Sequence, residues 1–325
     1  MIVLSSCYIT AAFFLQVFVR FCLIVFLMLN DNFLSNLTYI LYSVDSPVSL
    51  FFSFVFGAFI GSFLNVCIYR IPLCRSIVLP SSSCFSCGEP VKWYFNLPVV
   101  GYLLLRGRCH DCGSRFSGRY AMLEFLAGCA SLLLFRNYGG FSLSYFYYFF
   151  FFCVLTVVFF IDLDHWLILD SIIFPSCLFG LAAGLFIPAK ASSAGWIFLF
   201  VDHVPMLNNN YALSAVDSMA AGLIGFAVFA LIAFYGSFIF RQEAMGGGDI
   251  KFALLIGIFL GLEKAGAAFF FSFFAGILFM IPFMAVNKKS GREPVPFGTF
   301  MSVGSIAALF FADSFWNWLI GLSGM

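Results

Sequence analysis

Acidic residues are scarce in this chain, 15 Asp and Glu among 325 residues, yet Asp162, Asp164 and Asp170 cluster between two apolar runs and Asp249 opens another. A carboxylate beside hydrocarbon is costly unless it is paired, hydrated or protonated, so each is a functional candidate. Two carboxylates brought face to face have a definite chemistry. Like charges about 3 Å apart do not both ionise, so one keeps its proton and polarises a scissile carbonyl while the other takes a proton from water. Such a pair hydrolyses a peptide bond without a metal or a covalent nucleophile. Asp249 stands in Met245-Gly246-Gly247-Gly248-Asp249-Ile250-Lys251. There the glycines let the backbone turn sharply and a substrate strand approach closely, and a helix starting at Asp249 puts the carboxylate at a positive dipole end. The plainer alternative is a glycine linker followed by an N-cap aspartate. Rival hydrolytic machinery is missing from the sequence: there is no Gly-x-Ser-x-Gly, and the three histidines, His110, His165 and His203, fall in unrelated loops.

A second constellation is Cys84-Phe-Ser-Cys87 with Cys109-His-Asp-Cys112. Four thiolates from two such pairs make a closed tetrahedral zinc site, and Gly88 and Gly113, each just after a second Cys, supply the conformational freedom of the turns. A closed site has no open position for substrate, so the metal's expected role is structural. Two redox pairs or unrelated thiols are the alternative. Seven other cysteines (Cys7, Cys22, Cys67, Cys74, Cys129, Cys153, Cys177) lie in or beside apolar runs, where Cys is usually a small hydrophobe.

The elements that must position these groups are membrane helices. Hydrophobic residues make up 63% of the chain, charged ones 10%, and 49 residues are Phe, with a mean hydropathy of +1.05. That composition predicts an all-α polytopic membrane protein embedded in a lipid bilayer, and a net charge of +1 gives no sign of a nucleic-acid partner. Apolar runs of spanning length fall at 8 to 29, 50 to 69, 120 to 135, 144 to 161, 171 to 188, 213 to 240, 250 to 262, 265 to 286 and 297 to 320, giving about 8–9 transmembrane helices. The 250 to 262 run is short and reads as a half-helix or one opening in a protein-lined cavity. Phe149 to Phe152 read as lipid-facing. Arg20 inside 8 to 29 must snorkel or pair, and that segment reads as an extra span rather than a signal peptide.

Orientation follows from the basic residues. The stretch 70 to 119 carries Arg70, Arg75, Lys92, Arg106, Arg108, Arg115 and Arg119 against Glu89 and Asp111, which marks it as cytoplasmic. Counting onward puts 162 to 170, 241 to 249 and 287 to 296 on the same side, the last with Lys288, Lys289 and Arg292. Both aspartate groups therefore share the cytoplasmic face. The expected organisation is an extra span and external loop (1–49), a first span with a small cytoplasmic zinc-ribbon-like loop domain (50–119), and a membrane-embedded remainder (120–325).

Taken in order, these pieces resemble the bacterial prepilin peptidases, the GxGD class of intramembrane aspartyl proteases. The resemblance is carried by Gly61-Ser62-Phe63-Leu64-Asn65-Val66 followed by Tyr69-Arg70-Ile71-Pro72, and by Cys pairs enclosing Trp93-Tyr94-Phe95-Asn96-Leu97-Pro98 and Leu105-Arg106-Gly107-Arg108. Arg119, Tyr120 and Glu124 follow, then the aspartate segment and Gly246-Gly247-Gly248-Asp249-Ile250-Lys251. It implies that Asp162 and Asp249 are catalytic, with Gly246, Gly248, Lys251 and Asp170 as accessory residues. Lys251 would orient or neutralise Asp249, while Asp164 and Asp170 read as caps or solvated groups. Leu169 replaces the Pro usual before Asp170. The resemblance further implies cleavage, at the cytoplasmic face of a bacterial inner membrane, of prepilins or pseudopilins whose leader precedes an apolar helix. It also implies S-adenosylmethionine-dependent N-methylation of the new N-terminus, with Glu124 and Asn96 as participants. For Glu124 the plainer reading is an ion pair with Arg119 or Arg70. The competing readings are a peptidase without methyl transfer, a transporter, for which these helices have almost no polar residue near mid-span, and a non-enzymatic metal-binding assembly protein.

Overall fold

A computed structural model describes residues 45–79, 82–84, 86–187, 210–241, 245–287 and 296–323. The expected span at 8 to 29 with Arg20, and Lys288, Lys289 and Arg292, lie outside the described residues. Those residues form helices and no strand: α1 (Pro47–Arg70), a 3-10 turn (Trp93–Phe95), α2 (Val100–Leu104), α3 (Arg119–Asn137), α4 (Leu143–His165), α5 (Asp170–Gly184), α6 (Asn210–Phe240), α7 (Gly247–Asn287) and α8 (Phe297–Ser323). Among them α1, α4, α6, α7 and α8 are five helices long and apolar enough to cross a membrane. Helix is what such runs must form in lipid, where every backbone polar group has to be satisfied within its own segment. The chain divides into two compact units, one ending at Cys153 and the other starting at Val154.

In the first unit α1 packs closely on α3. Gly57 and Gly61 face α3, and a Cβ on Gly61 would lie 2.8 Å from the Cα of Glu124, so only a small residue lets the two backbones approach. The contact is tied by a buried hydroxyl network. Ser131 Oγ lies 3.0 Å from Ser53 Oγ and 2.7 Å from the Tyr145 hydroxyl, and donates to the Ser53 carbonyl at 2.6 Å. The sequence expectation for Phe149 to Phe152 is overturned here: Phe149, Phe150 and Phe151 are 0% exposed. Their apolarity suits a protein interior as well as it suits acyl chains.

In the second unit α7 is a helical hairpin. Gly261 interrupts it with φ 72 and ψ 175, a region open essentially to Gly alone. The arms fold back on each other, because a Cβ on Gly225 of α6 would lie 3.0 Å from the Ala253 carbonyl and 3.3 Å from the Phe269 ring. An unbroken helix would hold those two residues about 24 Å apart. The two arms coincide with the expected runs 250 to 262 and 265 to 286. Charged groups gather at the turn: Asp217 accepts the Leu262 N–H at 3.1 Å, and buried Lys264 pairs with Asp313 at 3.3 Å. Gly261→Ala is expected to destabilise this unit by about 1–3 kcal/mol, and more if Asp217, which already occupies the Cβ position, fails to move. Thermal unfolding in detergent measures it, and an unchanged midpoint would contradict the reading of the turn.

Candidate functional site

Three helix ends of the second unit converge around the two aspartates. Asp162 lies in the last turn of α4, which stops where Trp166 takes φ 56 and returns its N–H to the Asp162 carbonyl at 2.8 Å. The side chain is 4% exposed. Its Oδ2 accepts the N–H of Thr299 at 2.8 Å, and Thr299 belongs to the first turn of α8. Asp249 lies in the first turn of α7, which starts two residues earlier than expected, and donates its N–H to Gly246 O at 3.1 Å. Asp162 and Asp249 stand near enough for the charge of one to act on the other.

Ile168 joins the two halves. A Cβ on Gly248 would lie 2.9 Å from Ile168 Cβ, and a Cβ on Gly298 would lie 2.8 Å from Ile168 Cδ1 and 2.9 Å from Asp162 Oδ2. The glycines of the 246 to 248 run were expected to turn the chain sharply, but none of them takes positive φ. Their use is different: Gly248 admits Ile168, nothing lies within 4 Å of a Cβ on Gly247, and Gly246 borders Asp249 with 3.6 Å to its Oδ2. Thr299, Gly298 and Ile168 carry no chemical motif and were missed in sequence. The Pro-Phe-Gly-Thr start of the last apolar run is the one signal that pointed toward them, as helix-start punctuation.

Lys251 does not serve Asp249 by direct contact. Its Nζ donates to both carboxylate oxygens of Asp170 at 2.8 Å and sits 5.6 Å from the Phe174 ring centroid. Asp170 is therefore neither a plain cap nor a free solvated group but half of an ion pair tying the start of α5 to the first turns of α7. Both partners are about one-third exposed, at 35% and 38%, so the pair is worth about 1 kcal/mol or less. Lys251→Met and Asp170→Asn are expected to lower stability and cleavage alike, and the double variant to be no worse than either single one. Were Lys251 to act on Asp249 alone, Asp170→Asn would be silent in the same assay.

The first unit holds the cysteine quartet. All four sulfurs lie within 4.8 Å of one another, with Cys84 to Cys112 at 3.7 Å and Cys87 to Cys109 at 4.0 Å. Four thiolates at about 2.3 Å from one tetrahedral ion would stand roughly 3.8 Å apart. Both pairs sit on the same knuckle: Cys84 N–H donates to Glu89 O and Gly88 N–H to Cys84 O, as Cys109 N–H donates to Ser114 O and Gly113 N–H to Cys109 O. Gly88 and Gly113 take φ 76 and 71, as expected. The Ser114 hydroxyl, 3.4 Å from the Cys84 sulfur, is the main cause that holds that thiol down to about 6, and Ser114 likewise lowers Cys112. That favours the thiolate a metal needs at these two, whereas burial and the three neighbouring sulfurs push Cys87 up to about 12.

Glu124, on α3, is 9% exposed and accepts the Val99 N–H at 2.7 Å. No ion pair of Glu124 with Arg119 or Arg70 is among the described contacts. Asn96 and Glu124 line one cavity of the first unit.

Residues 149–281 match the model of the type IV leader peptidase family, and residues 55–138 match that of the bacterial peptidase A24 N-terminal domain. The chain is similar to the prepilin leader peptidase/N-methyltransferase of Bacillus subtilis (strain 168), 32% identical over 83% of this chain and 97% of the relative. It is likewise similar to that of Legionella pneumophila, 30% identical over 82% and 93%. The enzyme of the same name from Myxococcus xanthus (strain DK1622) is 30% identical over 75% of this chain and 66% of its own length. No solved structure matches the chain.

Proposed function

The chain belongs to the type IV leader peptidase family, and from that premise we propose that it cleaves the leader from prepilins or pseudopilins and then N-methylates the freed terminus. The observation that carries the peptidase reading is the meeting of Asp162 and Asp249 at three helix ends, with Thr299 fixing one carboxylate and Ile168 spacing the two loops. One carboxylate, unprotonated, takes a proton from water as the hydroxide attacks the scissile carbonyl carbon. The other, protonated, gives its proton to the carbonyl oxygen. Collapse breaks the C–N bond as one hydroxyl of the diol returns a proton to the second carboxylate, and the leaving amine receives the proton the first carboxylate took. Gly246 and Gly247 leave open backbone beside Asp249 where an extended substrate strand can lie. Because the pair shares one proton, cleavage is expected to follow a bell-shaped pH profile set by two coupled constants, measured as initial rate on a model prepilin. A profile with no acidic limb would sink the dyad.

The four thiolates hold a structural zinc ion that shapes a small ribbon-like domain in the loop between the first two spans. The sulfur spacing and the paired knuckles support this. The chain crosses a bacterial inner membrane 8–9 times, with 120–325 as the peptidase region and 50–119 as the region associated with methyl transfer. The basic loop 70 to 119 supports a cytoplasmic active face. Substrates enter with the apolar helix that follows their leader lying in the bilayer.

A further inference from the structure

The loop domain between α1 and α3 is tethered to the bilayer at both ends. α1 ends at Arg70 and α3 begins at Arg119, and the two ends lie side by side, with Asn65 Nδ2 donating to the Tyr120 carbonyl at 3.1 Å. The domain stands outside the spans, yet its short helix α2 turns an apolar face outward. Val100, Leu103 and Leu104 are 49%, 66% and 66% exposed, and their i, i+3, i+4 spacing puts them on one side of the helix. Gly101, turned away from them, is buried against the Phe95 carbonyl. Three large apolar side chains together outside lipid mark a contact surface. Positive charge follows at once. Arg106 and Arg108 are exposed, and Arg108 faces Arg115, also exposed, across an isolated antiparallel bridge. Side chains opposite each other in such a bridge stand about 5 Å apart on one face, so two cations there repel. Among the described residues no carboxylate pairs with Arg106, Arg108 or Arg115. An anion between the arginines relieves the repulsion, and a guanidinium matches a phosphate well.

The geometry points to a docking surface for the bilayer itself. Val100, Leu103 and Leu104 enter the boundary between headgroups and acyl chains of the leaflet from which α1 and α3 emerge, while Arg106, Arg108 and Arg115 hold the phosphates of anionic lipids. Leucines beside arginines are what an interfacial segment needs, since apolar burial supplies one part of the attraction and surface charge the other. The double tether favours lipid over a soluble partner: the leaflet is always within reach, so this second contact forms at a high effective concentration. The inference rests on the reading of 70 to 119 as a cytoplasmic loop, where the leaflet is anionic. Docking fixes the height of the loop domain above the lipid in which an apolar substrate helix lies.

The test uses the purified, metal-loaded full chain carrying a benzophenone amino acid in place of Leu104, reconstituted in nanodiscs of phosphatidylcholine with or without added phosphatidylglycerol. Illumination is expected to give lipid adducts, read by mass spectrometry, about tenfold more often in the anionic discs. High salt, or Arg108→Gln combined with Arg115→Gln, is expected to bring the anionic discs down to the neutral level with metal content unchanged. Adducts to protein alone, no adduct, or lipid adducts equally frequent in both discs would overturn the docking surface while leaving the loop cytoplasmic. An impermeant amine reagent that labels the exposed Lys92 in intact spheroplasts would overturn the cytoplasmic reading and this inference with it.

Discussion

Replacing Asp162 or Asp249 with asparagine is expected to lower cleavage of a model prepilin by about a thousandfold or more while leaving the protein folded. Asparagine keeps the volume of the side chain, and at position 162 its carbonyl oxygen still accepts the Thr299 N–H that anchors α8. What it removes is the exchangeable proton. Two carboxylates acting as one unit would leave the double variant no slower than either single one. A gel-shift assay beside thermal unfolding of each variant reads both quantities. Cleavage within about tenfold of wild type by either variant would exclude that residue from the dyad.

The second large effect is expected from the thiolates. Cys84→Ser combined with Cys112→Ser should abolish metal binding, expose residues 82 to 116 to limited proteolysis, and eliminate methyl transfer, with cleavage falling less. Each knuckle is closed by a few backbone bonds around one bridge, Ser83 with Pro90 and Arg108 with Arg115, and the two meet through their sulfurs and the Ser114 hydroxyl, where a metal would add the strongest link. Structural zinc is worth roughly 10–16 kcal/mol in small domains, far more than these few hydrogen bonds. Metal content by mass spectrometry and the proteolytic pattern decide the matter. A loop that stays protected without metal would contradict a structural role.

Much of this was legible because it is local. An apolar run long enough to span lipid must be a helix, so all eight runs expected within the described residues coincide with helices, including the two arms meeting at Gly261. The cysteine knuckles were legible for the same reason, since each is built within six residues. What escaped the sequence is what depends on distant partners. Thr299 reaches Asp162 across 137 positions, and Lys251 finds Asp170 across 81, neither with a local signature. Phe149 to Phe151 were misplaced because hydrocarbon and protein interior select the same side chains. The glycines before Asp249 were read as a turn because glycine permits one, whereas Gly248 is needed for the approach of Ile168.

The most direct test is the mass of a prepilin incubated with the purified chain, with and without S-adenosylmethionine. The account predicts loss of the leader in both samples and one added methyl group only where the donor is present, with neither change in the Asp162→Asn and Asp249→Asn variants. A prepilin that keeps its leader in the presence of the folded, metal-loaded wild type would contradict it.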